Sequence, residues 1–447
     1  MDCPKRRAVA GLPDDAVVEV LSRLPAKSLC RSKCVSNAWC DLIADRLRCT
    51  KLPQTLEGFF YCCANGCHRE DCSSDEDGDG ISNDGDSGSE EDGHESASEG
   101  GGNAKNLLCC TRLQYINLLG ISVPLVDPSF SFLTAMPRIR KLTLVDSCSG
   151  LLLFSALGFS GVSYYIVCNP ATEHWAVVPC PSFGPSSGFR LDFTSTASLM
   201  GLLFPSSFWE RVSTYLIFDP FISPHFQLIE ICHCSGIAGV HTYSSETGLW
   251  VNSSRDWGKW QMQREGDLLE TILSRRGSTV VNKMLRLIIS PLLTGPELIV
   301  AVDGNGEACR TIRWLEKHGF PVFLGKSRGL LHCVSVSGHQ DGNSCYMSEL
   351  SVWALEDYEA AEWNLKHTVS FLELFGKETC RFGSDYHVAT IHPERNLVFF
   401  VQHWDYKLVS YDMDRKEVCA LRDVGCDYGK ITPYVPYFSE SVVLKKK

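Results

Sequence analysis

Long apolar runs are almost absent from this 447-residue sequence. The longest uncharged stretch, Ser147 to Thr172, is interrupted by Gly150, Gly158 and Gly161, by five serines and by an Asn169-Pro170 turn. It therefore reads as strands joined by a loop and not as a membrane span. The opening residues, MDCPKRRAVAGLPDD, hold basic side chains but no apolar core before Asp14, which excludes a secretory signal there. With neither export nor a span, the 22 cysteines are expected as free, mostly buried thiols in a reducing compartment, cytoplasm or nucleus. Asn252-Ser253-Ser254 fits the glycosylation pattern but would not meet the machinery. The folded body also lacks net charge. Between Glu70 and Gly102 stand thirteen Asp and Glu and no Lys or Arg; removing them from the total of −11 leaves the remainder near +2. That balance points neither to nucleic acid nor to an acidic substrate.

What is present begins at residues 11–43, GLPDDAVVEVLSRLPAKSLCRSKCVSNAWCDLI. Pro13 suits a first helical turn, where its missing amide proton would be unsatisfied anyway. Asp14 and Asp15 place negative charge at the positive end of that helix. Val17, Val20, Leu21 and Leu24 follow i, i+3, i+4, i+7 and predict one apolar stripe. Pro25 stops this helix and starts a second, carrying Leu29, Cys34 and Val35. Ser36 is the expected N-cap of a third, on which Trp39, Leu42 and Ile43 share a face. About 40 residues are too few to bury a core alone, so the cluster is either a helical cap or a docking face for a partner.

The wording LPDD…VLSRLPAKSL…CVSNAW resembles the F-box, in its plant form, over about 35 residues. The resemblance implies docking to a Skp-family adaptor and, through it, to a cullin. It assigns the adaptor contact to Leu12, Pro13, Val17, Leu21, Leu24, Pro25, Leu29, Cys34, Val35, Trp39, Leu42 and Ile43, with Leu21, Leu24, Pro25 and Trp39 contributing most. This sequence is more polar and cysteine-rich than typical members at Ser32, Asn37 and Cys40.

Downstream, Cys62, Cys63, Cys67, His68 and Cys72 fall within eleven residues. They lack paired CxxC spacing, and the simpler reading is a strand from Phe59 to Cys63 running into a loop, with no metal assigned. Ser73 to Gly102 is Ser, Gly, Asp and Glu, with Ile81 its one large apolar residue, and reads as a disordered spacer. Asp75, Asp77, Asp79, Gly80 and Asp86 match EF-hand loop spacing, but Ser82 replaces the expected apolar residue and neither flank can form a helix. Ser73, Ser74, Ser87 and Ser89 each precede an acidic residue by three positions, a pattern acidophilic kinases favour; phosphate there would add to a repulsive run.

From Leu107 onward helical periodicity is missing, except over Asp267–Arg275. One grammar recurs instead: a strand, a turn, a second strand. It appears as Ser163–Cys168, Asn169–Thr172, Trp175–Val178, and again around Tyr243–Trp250, Ala301–Ile312, Val352–Trp363 and Val409–Val418. Returns of roughly 50–75 residues with paired strands predict propeller blades, five visible and six or seven allowed by length. DSCSGLLLF, VCNPATEHW, SPHFQL, YSSETGLW, LSVW, IHPERNLVFFV and YVPYFSES resemble the F-box-associated, kelch-like propeller of plant F-box proteins.

Gly184–Gly188 and Gly325–Gly329 fit G-x-S-x-G, but the first lies in a proline-rich loop and Ser327 leads into a strand, not the helix a nucleophile elbow needs. Gly325-Lys326-Ser327 also lacks the spacing and following helix of a P-loop. Gly304-Asn305-Gly306 reads as a hairpin turn, and Cys232-His233-Cys234 as strand packing. Exposed aromatics expected in loops are Trp257, Trp260, Trp404 and Tyr406.

The sequence thus predicts a small all-α F-box at residues 9–50, a connecting segment at 51–72, an acidic spacer at 73–106 and an all-β propeller at 107–447. The expected role is a non-catalytic substrate-recognition subunit of a Skp–cullin–F-box ubiquitin ligase that binds an unidentified protein target. No catalytic residue, cofactor, metal, nucleic acid or membrane is assigned. The alternatives are an F-box scaffold or inhibitor outside a ligase, and a propeller enzyme or zinc protein.

Overall fold

The computed structural model describes residues 13–22, 24, 32, 35–43, 55–63, 112–118, 126–134, 139–158, 160–181, 212–234, 237–252, 277–289, 297–341, 344–425, 428–438 and 443–444. The acidic run, Cys67, His68, Cys72, Gly184–Gly188, Asp267–Arg275, Trp257 and Trp260 lie outside them, as do Leu12, Pro25, Leu29 and Cys34 of the expected adaptor contact.

Six antiparallel sheets stand around a central cavity. Blade one comprises β3 (Ile139–Cys148), β4 (Leu151–Gly158), β5 (Ser163–Asn169) and β6 (His174–Pro179). Blade two has β7 (Val212–Ile217), β8 (Gln227–Cys234), β9 (Ile237–Ser244) and β10 (Leu249–Asn252), and blade three β11 (Ser278–Val281), β12 (Met284–Ile289), β13 (Leu298–Val302) and β14 (Ala308–Arg313). Blade four is built from β15 (Phe320–Ser327), β16 (Leu330–Asp341), β17 (Ser344–Asp357) and β18 (Glu362–Ser370), and blade five from β19 (Tyr386–Ile391), β20 (Leu397–Gln402), β21 (Lys407–Asp412) and β22 (Glu417–Asp423). Within each, strands follow chain order outward from the cavity. The five hairpins read from the sequence are the outer strand pairs of these five blades.

The sixth blade is assembled from both ends of the described chain. Its order is β2 (Arg112–Asn117), β1 (Gly58–Cys63), β23 (Tyr428–Tyr434), with β1 hydrogen-bonded to both neighbours. The propeller therefore starts at Gly58 and not at residue 107, and Cys62 and Cys63 sit on a central strand. Because Cys63 pairs with Arg112, residues 64–111 connect two adjacent strands of one hairpin. Gly58 is required where β1 begins, since a Cβ there would lie 2.0 Å from the Ile116 carbonyl oxygen.

Blade strands bury both faces, as in Leu151–Phe154 and Val398–Gln402, because each sheet is sandwiched between two others. Every gap has its own apolar cluster. Leu216, Phe218 and Leu228 meet Leu153 and Val167 between blades one and two. Phe371, Tyr386 and Phe400 meet Val334 and Val352 between four and five. Phe59 and Tyr61 meet Phe399 and Val401 between five and six. Cys168, Cys333 and Cys380 are buried free thiols, and burial pushes the Cys380 thiol up to about 11.

Helices among the described residues include α1 (Asp14–Ser22), α2 (Asn37–Leu42), α3 (Ser131–Thr134) and α4 (Phe371–Phe375). The last carries a full capping box, Ser370 with Glu373, and ends on left-handed Gly376. No described helix is long and apolar enough to cross a membrane.

Candidate protein-interaction sites

The first candidate site is the N-terminal pair of helices. The Pro13 carbonyl accepts from the Ala16 and Val17 amides, which opens α1, and Asp14 and Asp15 occupy its first turn. Ser36 caps α2, its hydroxyl accepting from the Trp39 amide at 3.2 Å.

The apolar stripe expected on α1 is divided by the fold. Val17 and Leu21 point inward and join Leu42 and Ile43 in a buried cluster with Phe60, Phe130, Leu133, Leu142, Leu152, Phe154 and Tyr434. The helices thus close over the gap between blades six and one, and α3 lies in the same cluster. Leu24 and Trp39 are partly buried against it. Val20 is 58% exposed and Val35 63%, and Pro13 is exposed as well. Of the residues expected at the adaptor, then, the structure places Val17, Leu21, Leu42 and Ile43 in an intramolecular core and leaves Pro13 and Val35 on the surface. Val20 was not assigned a contact from the sequence, although a stripe wider than the propeller can cover must leave one edge open.

The second candidate site is the propeller face around the mouth of the cavity, which measures about 1640 Å³. Inner strands of all six blades line it, among them Asp146, Thr214, Ser278, Lys326, His387 and Thr432. Asp146 accepts from the Leu216 amide and lies 3.6 Å from the Lys430 ammonium, tying blades one, two and six together. Burial holds the neighbouring Cys148 thiol up at about 12, so it is not a nucleophile at neutral pH.

On one side Tyr406 and Tyr428 line the cavity, and Trp404 stands two residues before Tyr406. Trp404 and Tyr406 in the β20–β21 turn are each more than a third exposed. Trp404 packs edge-on against Phe375, and the Lys377 ammonium sits 3.9 Å above its ring. Below this rim His387, His403 and Tyr428 meet: His387 Nδ1 is 3.0 Å from His403 Nε2 and 3.2 Å from Tyr428 Oη. Burial and the neighbouring His403 lower the His387 pKa to about 4.

Ser327, from the G-x-S-x-G match, is buried in β15, and its hydroxyl donates to the His392 carbonyl at 2.8 Å. It links two blade turns. Gly304 and Gly306 lie in the β13–β14 turn, where Gly306 takes φ +80°.

Residues 10–51 match the F-box domain model. F-box only protein 8 of Arabidopsis thaliana is 36% identical over 63 residues, covering 13% of this chain and 21% of that protein's length. A second F-box protein of Arabidopsis thaliana is 24% identical over 371 residues, 80% of this chain and 79% of its own. Among solved structures, a puromycin-hydrolyzing peptidase of Mycobacterium tuberculosis aligns over 63% of this chain and 37% of that one, at 10% identity and TM-score 0.34. A nidogen/laminin complex aligns over 66% and 84%, at 9% identity and TM-score 0.34. The chain carries an F-box domain at residues 10–51 followed by a six-bladed β-propeller.

Proposed function

We propose that this chain is a substrate-recognition subunit of a Skp–cullin–F-box ubiquitin ligase, acting in the cytoplasm or nucleus. The observation that carries the reading is the F-box match at residues 10–51 in a chain whose propeller presents a separate aromatic-rimmed face. On this reading the N-terminal helices engage a Skp-family adaptor, which joins a cullin, and the propeller holds a target protein. The contribution to catalysis is proximity: a target lysine is held at high effective concentration near the conjugating enzyme, and no bond is made or broken by this chain.

On this reading the two faces of the helices have different roles. Val17, Leu21, Leu42 and Ile43 fix the helices on the propeller, while Val20, Val35 and Pro13 present the free edge to the adaptor. Burial of each exposed valine would contribute roughly 1.5–3 kcal/mol. Co-precipitation with a Skp-family adaptor is the test. Val20→Asp with Val35→Asp should reduce capture more than tenfold while the melting temperature stays unchanged; undiminished capture would sink the docking assignment. Leu21→Ala with Leu24→Ala should lower both capture and stability, because Leu21 is only 1% exposed. An adaptor-bound chain from which cullin is always absent would favour a scaffold or inhibitor outside a ligase.

A further inference from the structure

The cluster of His387, His403 and Tyr428 has chemistry that target recognition by aromatic contacts does not use. The three side chains come from β19, the β20–β21 turn and the first residue of β23, so they bridge blades five and six at the mouth of the cavity. His403 Nδ1 lies 2.9 Å from the Ser384 carbonyl oxygen. A carbonyl only accepts, so Nδ1 carries a hydrogen, which leaves Nε2 as the nitrogen turned toward His387. Ring orientation by a backbone carbonyl on the far nitrogen is the arrangement that aims an imidazole at a metal.

His387 Nδ1 joins the other two: it lies 3.0 Å from His403 Nε2, to which it donates a hydrogen that a bound metal ion would displace, and 3.2 Å from Tyr428 Oη. Two nitrogens bound at 2.0–2.1 Å to one tetrahedral ion stand about 3.3 Å apart, so these separations are close to an edge of a coordination shell. Among the described residues no three His, Cys, Asp or Glu side chains form such a group; here the third donor is a phenol.

We propose that His387 Nδ1, His403 Nε2 and Tyr428 Oη bind a divalent imidazole-seeking metal ion, Cu²⁺ or Zn²⁺. The two imidazoles are the main ligands, the phenol is a weaker third, and the remaining positions open to the cavity. Oxygen-seeking Mg²⁺ and Ca²⁺ do not suit two nitrogen donors. The ion would staple blade five to blade six beside the strand that closes the ring. The inference does not depend on the F-box reading, since neither Val20 nor Val35 takes part.

The full chain, stripped with chelator, is titrated with ZnCl₂ and CuCl₂ under reducing and thiol-blocked conditions respectively. Wild type should bind one equivalent that both His387→Gln and His403→Gln lose, with Tyr428→Phe weakening it several-fold, and MgCl₂ should not compete. Metal should also raise the melting temperature of wild type but not of the two histidine variants. Equal stoichiometry and affinity in all variants would assign the ion to cysteines elsewhere and overturn the site. If a histidine variant misfolds, the Cu²⁺ electron paramagnetic resonance spectrum of wild type decides: coupling to two imidazole nitrogens supports the site, and its absence overturns it.

Discussion

His392 shows what a single buried side chain contributes to this ring. Its Nδ1 accepts from the Glu394 and Arg395 amides at 3.1 Å, and its carbonyl takes the Ser327 hydroxyl. Burial, and then the nearby Arg395 charge, push its pKa down to about 4 from 6.5. A depressed histidine pKa means the folded state rejects a proton that the unfolded chain accepts. Its stabilising effect is therefore complete above pH 6.5 and is lost as pH falls from there toward about 4. After solvent screening is discounted this is on the order of 1–2 kcal/mol. Urea unfolding of wild type should show that loss between pH 6.5 and 4, and His392→Asn, whose amide oxygen can still cap the turn, should make it smaller, the rest coming from other buried histidines such as His387. An identical pH dependence in both proteins would refute the assignment. None of this was legible in IHPERN, because the sequence shows neither burial nor the two amides that converge on one nitrogen. The same holds for His387, His403 and Tyr428: their separation along the chain follows no ligand-spacing motif, and strand pairing across two blades brings them together.

At the level of the element, α1 was readable as a helix and only half readable as a surface. Its period, its proline start and its acidic first turn are local properties. Which of Val17, Val20 and Leu21 faces a partner depends on where the propeller lies. The closing blade was the hardest part to read. Its three strands are separated by residues 64–111 and by five complete blades, so no hairpin grammar marks them. The five outer hairpins were legible because strand, turn and strand are contiguous and the turn residues belong to the same few types. The pairing of Cys63 with Arg112 yields a direct test. Replacing residues 64–111 by an Asn-Gly turn should keep the propeller folded and raise its stability by about 2–3 kcal/mol, from the shorter closed loop. Loss of the cooperative urea transition would show that the insertion supplies contacts to the blade.

At the scale of the whole molecule, stability resides in the gaps. Six apolar clusters each draw side chains from two neighbouring blades, so no blade is complete alone. The gap between blades six and one differs because the F-box helices enter it. Val17, Leu21, Leu42 and Ile43 lie in the same cluster as Phe154 and Tyr434. Removing residues 1–54 should therefore lower the melting temperature of the propeller by several degrees. An unchanged temperature would mean that the helices merely rest on it. The same shared core makes the two candidate surfaces parts of one body, so an adaptor on the helices would hold a target on the propeller at a defined position.

The sequence by itself determined the helix type of α1 and α2 and the Ser36 cap, the F-box wording, the outer hairpins of five blades and the near-neutral charge of the folded body. These depend on periodicity, turn chemistry and composition, which act over a few residues. Tertiary structure alone decided that the ring has six blades, that strands from both ends of the described chain close it, and that half of the α1 stripe is internal. It alone brought two histidines and a tyrosine to one point. Each of these requires residues far apart in sequence to meet, and the hydrophobic effect that joins them is non-directional: apolar side chains record that they will be buried, not against which partner.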